Sequence, residues 1–294
     1  MTTIAFIGLG AMGRPMARRL VEAQHRVTGF DLNPEALAYL ESKGGHAASS
    51  AADAARGAEA LVLMVVNADQ AEAALFAGGA LDALAPGAQV ILMATCPPAR
   101  VEAIAQRVEA TGRVFIDAPV SGGVVGAEAG TLTIMAAARP EAFEAARPIL
   151  ASMGQRLFHV GERAGQGAAV KTINQLLCGV HIAVAAEAFA MAEKAGVDTA
   201  LMLDILSQSA AGSWMLANRG PRMLEGEPAV TSAVDIFVKD LGIVMDAGRA
   251  AHVALPLAAA AHQMLLAASG AGHGKADDSQ VIRAYRALNG TGKD

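Results

Sequence analysis

The sequence predicts a chain in two parts: an α/β domain on a mostly parallel sheet, then an all-helical domain, joined by one long helix. Three features say so. Short β-like runs alternate with helical stretches through the first half. A glycine-rich turn separates the first such run from the first helix. The strand signal then stops after about residue 163, which sets the domains at 1–163 and 164–294.

Taken in order, the strand candidates are Ile4–Ile7, Arg26–Phe30, Ala60–Val66, Gln89–Met93, Val114–Asp117, Leu132–Ala136 and Leu157–Val160. Amphipathic segments such as Pro15–Ala23, Pro34–Lys43 and Pro98–Ala110 lie between them, the spacing of βαβ units. Continuous apolar runs such as Leu61–Val66 suit a sheet covered on both faces. Gly165-Gln166-Gly167 then introduces a helical pattern from Ala168 to about Ala195, ended by Gly196. Further helices are expected at Asp198–Gln208, Ser232–Ala251, Pro256–Ala268 and Asp278–Leu288, with Gly270–Gly274 as a loop. The long helix is apolar enough to serve both cores.

The composition is 53% hydrophobic and 17% charged, the opposite of a disordered chain. The longest apolar stretches, Leu176–Ala186 and Ala254–Ala268, fall short of the roughly 18–20 residues a membrane span needs or are interrupted by His262 and Gln263. A soluble protein is expected. A net charge of −5 offers no basic field to a nucleic acid. Cys96 and Cys178 make neither a disulfide framework nor zinc spacing, and His25, His46, His159, His181, His252, His262 and His273 are scattered, so no metal is expected. The N-terminus opens straight into a strand pattern rather than a secretion signal, which points to the cytoplasm.

Gly8-Leu9-Gly10-Ala11-Met12-Gly13 follows a strand and opens a helix. In such a loop the glycines give a tight turn, close backbone approach to a pyrophosphate, and close helix–strand packing. The helix N-terminus adds unpaired N–H groups and a positive dipole end. A glycine turn without ligand is the alternative. Asp31 ends the second strand, eighteen residues after Gly13, where a carboxylate accepts from ribose hydroxyls and repels a 2′-phosphate. Leu32 and Asn33 follow it, with no arginine to hold that phosphate, so NAD is favoured over NADP. Asp31 also suits a cap for the helix at Pro34, and the two roles are compatible.

Asp117-Ala118-Pro119-Val120-Ser121-Gly122-Gly123 follows another strand. A hydroxyl beside two glycines offers donors to a carboxylate, and an ordinary loop fits the same residues. Lys171 and Asn174 lie three apart on one face of the long helix, amid Val170, Ile173, Leu176 and Leu177. A lysine there either has a task or partner, or snorkels to water.

Four segments together resemble the β-hydroxyacid dehydrogenase family: Gly8–Gly13 with Met16, Asp117–Gly123, Gly165–Asn174 and Asp235–Leu241, in the family's order and over essentially the whole chain. The resemblance implies a Rossmann N-terminal domain and an all-α C-terminal domain joined by a long interdomain helix, as in 6-phosphogluconate dehydrogenase, assembled as a homodimer or homotetramer. It implies Lys171 as the catalytic lysine and Asn174 as the substrate-orienting asparagine. Ser121, Gly122 and Gly123 match the carboxylate loop. The cofactor matches fall on the Gly8–Gly13 loop, Asp31, Val65, Val66, Thr95 and Lys239. Val65-Val66-Asn67 stands where Leu-Pro-Thr is common, so the side chains offered there differ from the family's. The segments around Gly212–Arg219, Ser232–Leu241 and Asn174–His181 resemble the branch acting on four-carbon sugar acids such as L-threonate, where Ser213, Asn218 and Arg219 would suit a polyol tail. The branch implies oxidation to the 2-keto acid; 3-hydroxyisobutyrate oxidation and tartronate semialdehyde reduction are the other family activities.

On that resemblance Lys171 accepts the hydroxyl proton as hydride leaves the carbinol carbon. Proton transfer needs an amine titrating well below the usual lysine value of about 10.4. Burial between the lobes and a nearby Lys239 would lower it, while a substrate carboxylate pulls the other way. Imine reduction occurs on related scaffolds that replace this lysine, so Lys171 argues against it. A non-catalytic NAD-binding sensor is the remaining alternative. Met12 and Met16 read as packing around the first helix, Cys178 as core, and Trp214 as either packing or a pocket wall.

Overall fold

Alternation along the first strand separates two cores. In the computed structural model, which describes residues 1–291, Ile4 and Phe6 of β1 (Thr3–Ile7) join one buried cluster while Ala5 and Ile7 join another. Successive side chains in a strand point to opposite faces, so the sheet is packed on both. The other strands are β2 (Arg26–Phe30), β3 (His46–Ala47), β4 (Ala60–Leu63), β5 (Gln89–Leu92), β6 (Val114–Asp117), β7 (Val120–Ser121), β8 (Thr133–Ala137) and β9 (Arg156–Gly161). Their order is β3-β2-β1-β4-β5-β6-β8-β7, with β9 beside β8. The first six are parallel; β8 runs antiparallel to β6 and β7 and parallel to β9.

The first half also holds α1 (Gly13–Glu22), α2 (Pro34–Ser42), α3 (Ala51–Ala55), α4 (Ala68–Glu72), α5 (Ala80–Ala83), α6 (Pro98–Glu109), α7 (Gly123–Ala129) and α8 (Pro140–Met153). Met16, Ala17 and Leu20 of α1, with Phe143, Ala146 and Leu150 of α8, cover the Ile4/Phe6 face. Val101, Ile104 and Val108 of α6 and the small helix α3 cover the Ala5/Ile7 face.

The helices of the second half are α9 (Gln166–Ala195), α10 (Thr199–Ser207), α11 (Trp214–Leu224), α12 (Val234–Ala250), α13 (Pro256–Ala268) and α14 (Ile282–Asn289). The chain divides into two compact units, Met1–Lys171 and Thr172–Asp294, so α9 begins in the first and continues into the second. The second unit has its own core, centred on Ile182, Phe189, Leu241, Leu265 and Ile282. The fold is thus a doubly wound α/β domain followed by a helical one.

Some expectations change in detail. β4 stops at Leu63, and Met64–Asn67 leaves the sheet to enter α4. The two-residue strands β3 and β7 were too short to read as runs. Gly270–Gly274 is not an open loop: Ser269–His273 prolongs α13 as a wide helical turn broken at Gly272, with φ +93. One helix is, against expectation, long and apolar enough to cross a membrane. Within α9 an eighteen-residue window reaches mean hydropathy 1.5, enough by length and composition, and half of that window is buried inside the protein.

Candidate active site

Because β2, β1, β4, β5 and β6 lie side by side and run the same way, their C-terminal ends form one edge of the sheet. β1 is where the order reverses, with β2 on one side and β4 on the other. In open α/β sheets such a switch point is where ligands bind. Gly8–Gly13, Asp31, Val65, Val66 and Thr95 all follow the ends of these strands.

Gly8 has φ +95, and its N–H donates to the Phe30 carbonyl at 3.0 Å. A Cβ there would strike the carbonyl oxygen of Met64, and one at Gly13 would strike that of Gly8, so both positions require glycine. Gly10 is different: it is exposed, and no atom stands within 4 Å of where its Cβ would be. The crest of the loop is open. Ala11 beside it is exposed, Leu9 is fully buried, and Met12 packs on the core. α1 starts at Gly13 with no side-chain cap and no acid in its first turn. Its N-terminus therefore presents N–H groups and a positive dipole end beside an open crest, a fit for an anion such as a pyrophosphate.

Asp31 braces this loop. One carboxylate oxygen accepts from the Leu9 N–H at 2.6 Å and the other from the Asn33 N–H at 2.8 Å. The helix at Pro34 is capped by Asn33, whose Oδ1 accepts from Glu35 N–H at 2.9 Å, and not by Asp31. An ionised carboxylate has lone pairs left after two bonds, so bracing and ribose binding are compatible. On the other side of β1, the Val65 side chain packs towards Gly8. Val66 is 46% exposed, and its N–H, which a proline would lack, donates to Gln70 Oε1 at 2.9 Å. Asn67 caps α4 through Gln70 N–H at 2.9 Å. Thr95 is half-buried beyond β5, and the adjacent Cys96 is 1% exposed in the core.

At the end of β6, Asp117 is buried and accepts from the N–H groups of Gly165 and Ala168, each at 2.9 Å. Burial pushes its carboxyl up to about 6, against backbone N–H groups of Ala168, Gly165 and Gly167 that pull it down. A Cβ at Gly167 would meet the carbonyl oxygens of Met135 and Asp117. The glycines at 165 and 167 thus let the first turn of α9 press onto the sheet. Lys171, one turn beyond Ala168, is 7% exposed. Ser121 ends β7 opposite Thr133, followed by Gly122 and Gly123 at φ +129 and +61, all three half-buried.

In the second unit, Asn174 lies one turn after Lys171, with Cys178 Sγ 3.8 Å from its Oδ1. Beside it, Gln175 donates to the buried Asp240 at 2.5 Å, and Asp240 pairs with Lys239 Nζ at 2.8 Å. Lys239 is therefore tied to α9 through Gln175 and Asp240, neither singled out from the sequence. Asp240 adjoins Lys239 in the chain, but nothing in the sequence joins it to Gln175.

The residues that would suit a polyol tail are held by bonds within the chain. Ser213 caps α11, its Oγ accepting from Leu216 N–H at 3.0 Å. Arg219 forks onto the fully buried Asp278 at 2.9 and 2.8 Å. Asn218 Oδ1 accepts from Arg219 at 2.6 Å and from Arg222 at 2.9 Å. Arg222 also reaches Thr231 and, at 2.8 Å, Asp277. This is a structural network in which the ring of Trp214, 54% exposed, lies 5.9 Å from the Arg219 guanidinium. Among the described residues no three His, Cys, Asp or Glu side chains gather into a metal-holding group.

The fold and the glycine loop at its switch point define a dinucleotide-binding domain coupled to a helical one. Residues 3–161 match the family described as the NAD binding domain of 6-phosphogluconate dehydrogenase, and residues 165–285 the one described as NAD-binding of NADP-dependent 3-hydroxyisobutyrate dehydrogenase. The chain is 45% identical to the L-threonate dehydrogenase of Cupriavidus necator over 99% of this chain and 98% of that one. It is 36% identical to the 3-hydroxyisobutyrate dehydrogenase of Pseudomonas aeruginosa over 97% of this chain and 99% of that one. The crystal structure of a 3-hydroxyisobutyrate dehydrogenase from Salmonella typhimurium, 42% identical, superposes with a TM-score of 0.91, covering 95% of this chain and 98% of that one. The chain belongs to the β-hydroxyacid dehydrogenase family, NAD(P)-dependent oxidoreductases acting on a CH–OH group.

Proposed function

We propose that this protein oxidises L-threonate to its 2-keto acid, 2-dehydro-L-erythronate, using NAD, with Lys171 as general acid/base. The observation that carries the chemistry is a lysine only 7% exposed, one turn before an asparagine on the same helix. A largely buried amine with a polar amide one turn along the same helix suits proton transfer to a bound hydroxyl. The substrate rests on the similarity to L-threonate dehydrogenases at 41–45% identity.

Bound NAD supplies the hydride acceptor. Lys171 Nζ takes the hydroxyl proton in oxidation and returns it in reduction. Asn174 orients the hydroxyl, while Ser121 Oγ and the Gly122 and Gly123 amides hold the substrate carboxylate. In the Gly8–Gly13 loop the N–H groups from Gly10 to Gly13, at the open crest and the start of α1, take the pyrophosphate, and Asp31 the ribose hydroxyls; its negative charge disfavours a 2′-phosphate and supports NAD over NADP. Val65, Val66 and Thr95 complete the cofactor side at the strand ends, and Lys239 a late cationic contact.

The partner beyond substrate is a second copy. Ile173, Leu177, Val184 and Met191 make an exposed apolar stripe along α9, and α10 buries none of its residues while exposing Leu201 and Ile205. Such a stripe supports a homodimer or homotetramer, read directly by light scattering. A cytoplasmic location goes with an NAD-dependent dehydrogenase of small hydroxy acids.

The test is NADH formation with L- and D-threonate, L- and D-erythronate, 3-hydroxyisobutyrate, glycerate and 4-hydroxybutyrate. L-Threonate is expected to give the highest kcat/KM. Inert L-threonate with fast 3-hydroxyisobutyrate oxidation would replace the substrate and keep the chemistry.

A further inference from the structure

We propose that Asp117 is a positioning residue for Lys171, its ionised carboxylate clamping the first turn of α9 so that the amine one turn later is held at a fixed height and rotation. The inference rests on the reading of Lys171 as the acid/base and goes beyond it.

The geometry is local to the first unit. Asp117 closes β6, and one of its oxygens accepts from both Gly165 N–H and Ala168 N–H at 2.9 Å. The first N–H groups of a helix have no intrahelical acceptor, and a carboxylate is the strongest cap available to them. Here the cap comes from a strand end 48 and 51 residues earlier, so it fixes the helix to the sheet and not merely to its own loop. Gly167 is pressed against the Asp117 and Met135 carbonyl oxygens, so the helix start has no slack on that side. Lys171 is three residues beyond Ala168 on the same helix, so its height and rotation follow from where that first turn sits.

The site also holds a charge where burial opposes one. Asp117 is 1% exposed, and its carboxyl titrates near 6, not near 3.8. Glu102 of α6 lies against Gly165, Arg139 precedes α8, Glu162 and Arg163 precede α9, and Lys171 is on α9 itself. β5 and β8 carry no ionisable residue, and α8 buries only apolar ones. The shift is set by burial against three backbone N–H groups. A group destabilised by its ionisation yet aimed at a catalytic helix is the pattern of a functional rather than a stabilising carboxylate.

The sign follows. Above pH ~6 the ionised carboxylate makes its strongest bonds to Gly165 and Ala168, and below it protonation weakens them. Turnover is therefore expected to fall on the acid side with an apparent pKa of about 6. Asp117→Asn keeps the shape and loses the charge. It is expected to remain folded, since it also removes a buried charge, and to lower kcat by about 10–100-fold while KM and NADH affinity stay within about threefold. Its kcat is expected to be flat across the acid limb.

The experiment measures kcat, KM and NADH affinity from pH 5 to 8 for wild type, Asp117→Asn and Lys171→Ala. Amide hydrogen exchange at Gly165 and Ala168 is followed alongside. A dead Lys171→Ala enzyme with a near-normal Asp117→Asn enzyme overturns the inference and leaves Lys171 standing. A near-normal Lys171→Ala enzyme overturns both. Should Asp117→Asn not fold, the wild type decides. Exchange protection at Gly165 and Ala168 that declines together with kcat through pH 6 supports the clamp; protection that stays constant while kcat changes overturns it.

Discussion

Asp31→Ala separates cofactor reading from loop bracing. The substitution removes the acceptor of the Leu9 N–H, a 2.6 Å bond at a residue with no exposed surface. A buried N–H left unsatisfied costs about 1–3 kcal/mol, while the exposed Asn33 N–H turns to water. That damage falls equally on NAD and NADP. The loss of ribose bonds to a charged acceptor, about 1.5–3 kcal/mol, falls chiefly on NAD. Relief of repulsion from the 2′-phosphate falls on NADP alone. The ratio of kcat/KM values for the two cofactors is thus expected to shift towards NADP by about 10–100-fold, whatever happens to each alone. The assay is reduction of each cofactor at saturating substrate for wild type, Asp31→Ala and Asp31→Asn. Asp31→Asn keeps an acceptor for Leu9 and removes the charge, and should show most of the selectivity change with less loss of rate. Equal losses with both cofactors, at an unchanged ratio, would refute the ribose role and leave Asp31 as a brace.

Three further outcomes follow from the geometry. Lys171→Ala should abolish turnover while NADH binding, followed by fluorescence, persists; near-normal turnover would remove Lys171 from the chemistry. Gly13→Ala places a Cβ against the Gly8 carbonyl oxygen and should weaken NADH binding by at least ~10-fold, about 1.4 kcal/mol, with titration calorimetry as the check. Arg219→Met leaves the fully buried Asp278 without its forked partner, and should lower unfolding free energy by about 3–5 kcal/mol. That corresponds to a melting temperature lower by roughly 10 °C. An unchanged melting temperature with a raised substrate KM would return Arg219 to the substrate.

The parts of the fold that were legible in the sequence are those decided within a few residues of each other. The apolar run Leu61–Val66 suited a strand covered on both faces, and its part within β4, Leu61–Leu63, is buried throughout. Gly8–Gly13 was legible because its constraints are local: Gly13 is set by the carbonyl of Gly8, five residues back. The two-residue strands β3 and β7 were not, since two residues carry no period. The end of β4 was misplaced because Met64–Val66 continues the apolar run after the backbone has left the sheet; what ends the strand is the cap that Asn67 gives α4. The long helix was measured short as an apolar run because polar positions interrupt it, although its average over eighteen residues remains high.

The site divides in the same way. Asp31 was found from its spacing after the glycine loop, but its bond to Leu9 was not, since that depends on β2 lying beside β1 in register. The bonds of the Ser213, Asn218 and Arg219 segment were not legible in the sequence, for a clearer reason. A short sequence of polar and cationic side chains looks the same whether it faces a polyol or a buried acid, and the acid that decides the matter, Asp278, is 59 residues away. Asp117 shows the converse. Its motif is conspicuous, yet the sequence points within it to Ser121 and the glycines, because only the sheet brings the end of β6 against residues 165–168. Gly165 and Gly167 were the sequence trace of that approach: two glycines at a helix start, one favoured by a φ of +91 and the other excluded from bearing a Cβ by the Met135 and Asp117 carbonyl oxygens. A glycine pair preceding a helix that carries a buried lysine is therefore a reason to look for an acid at a distant strand end.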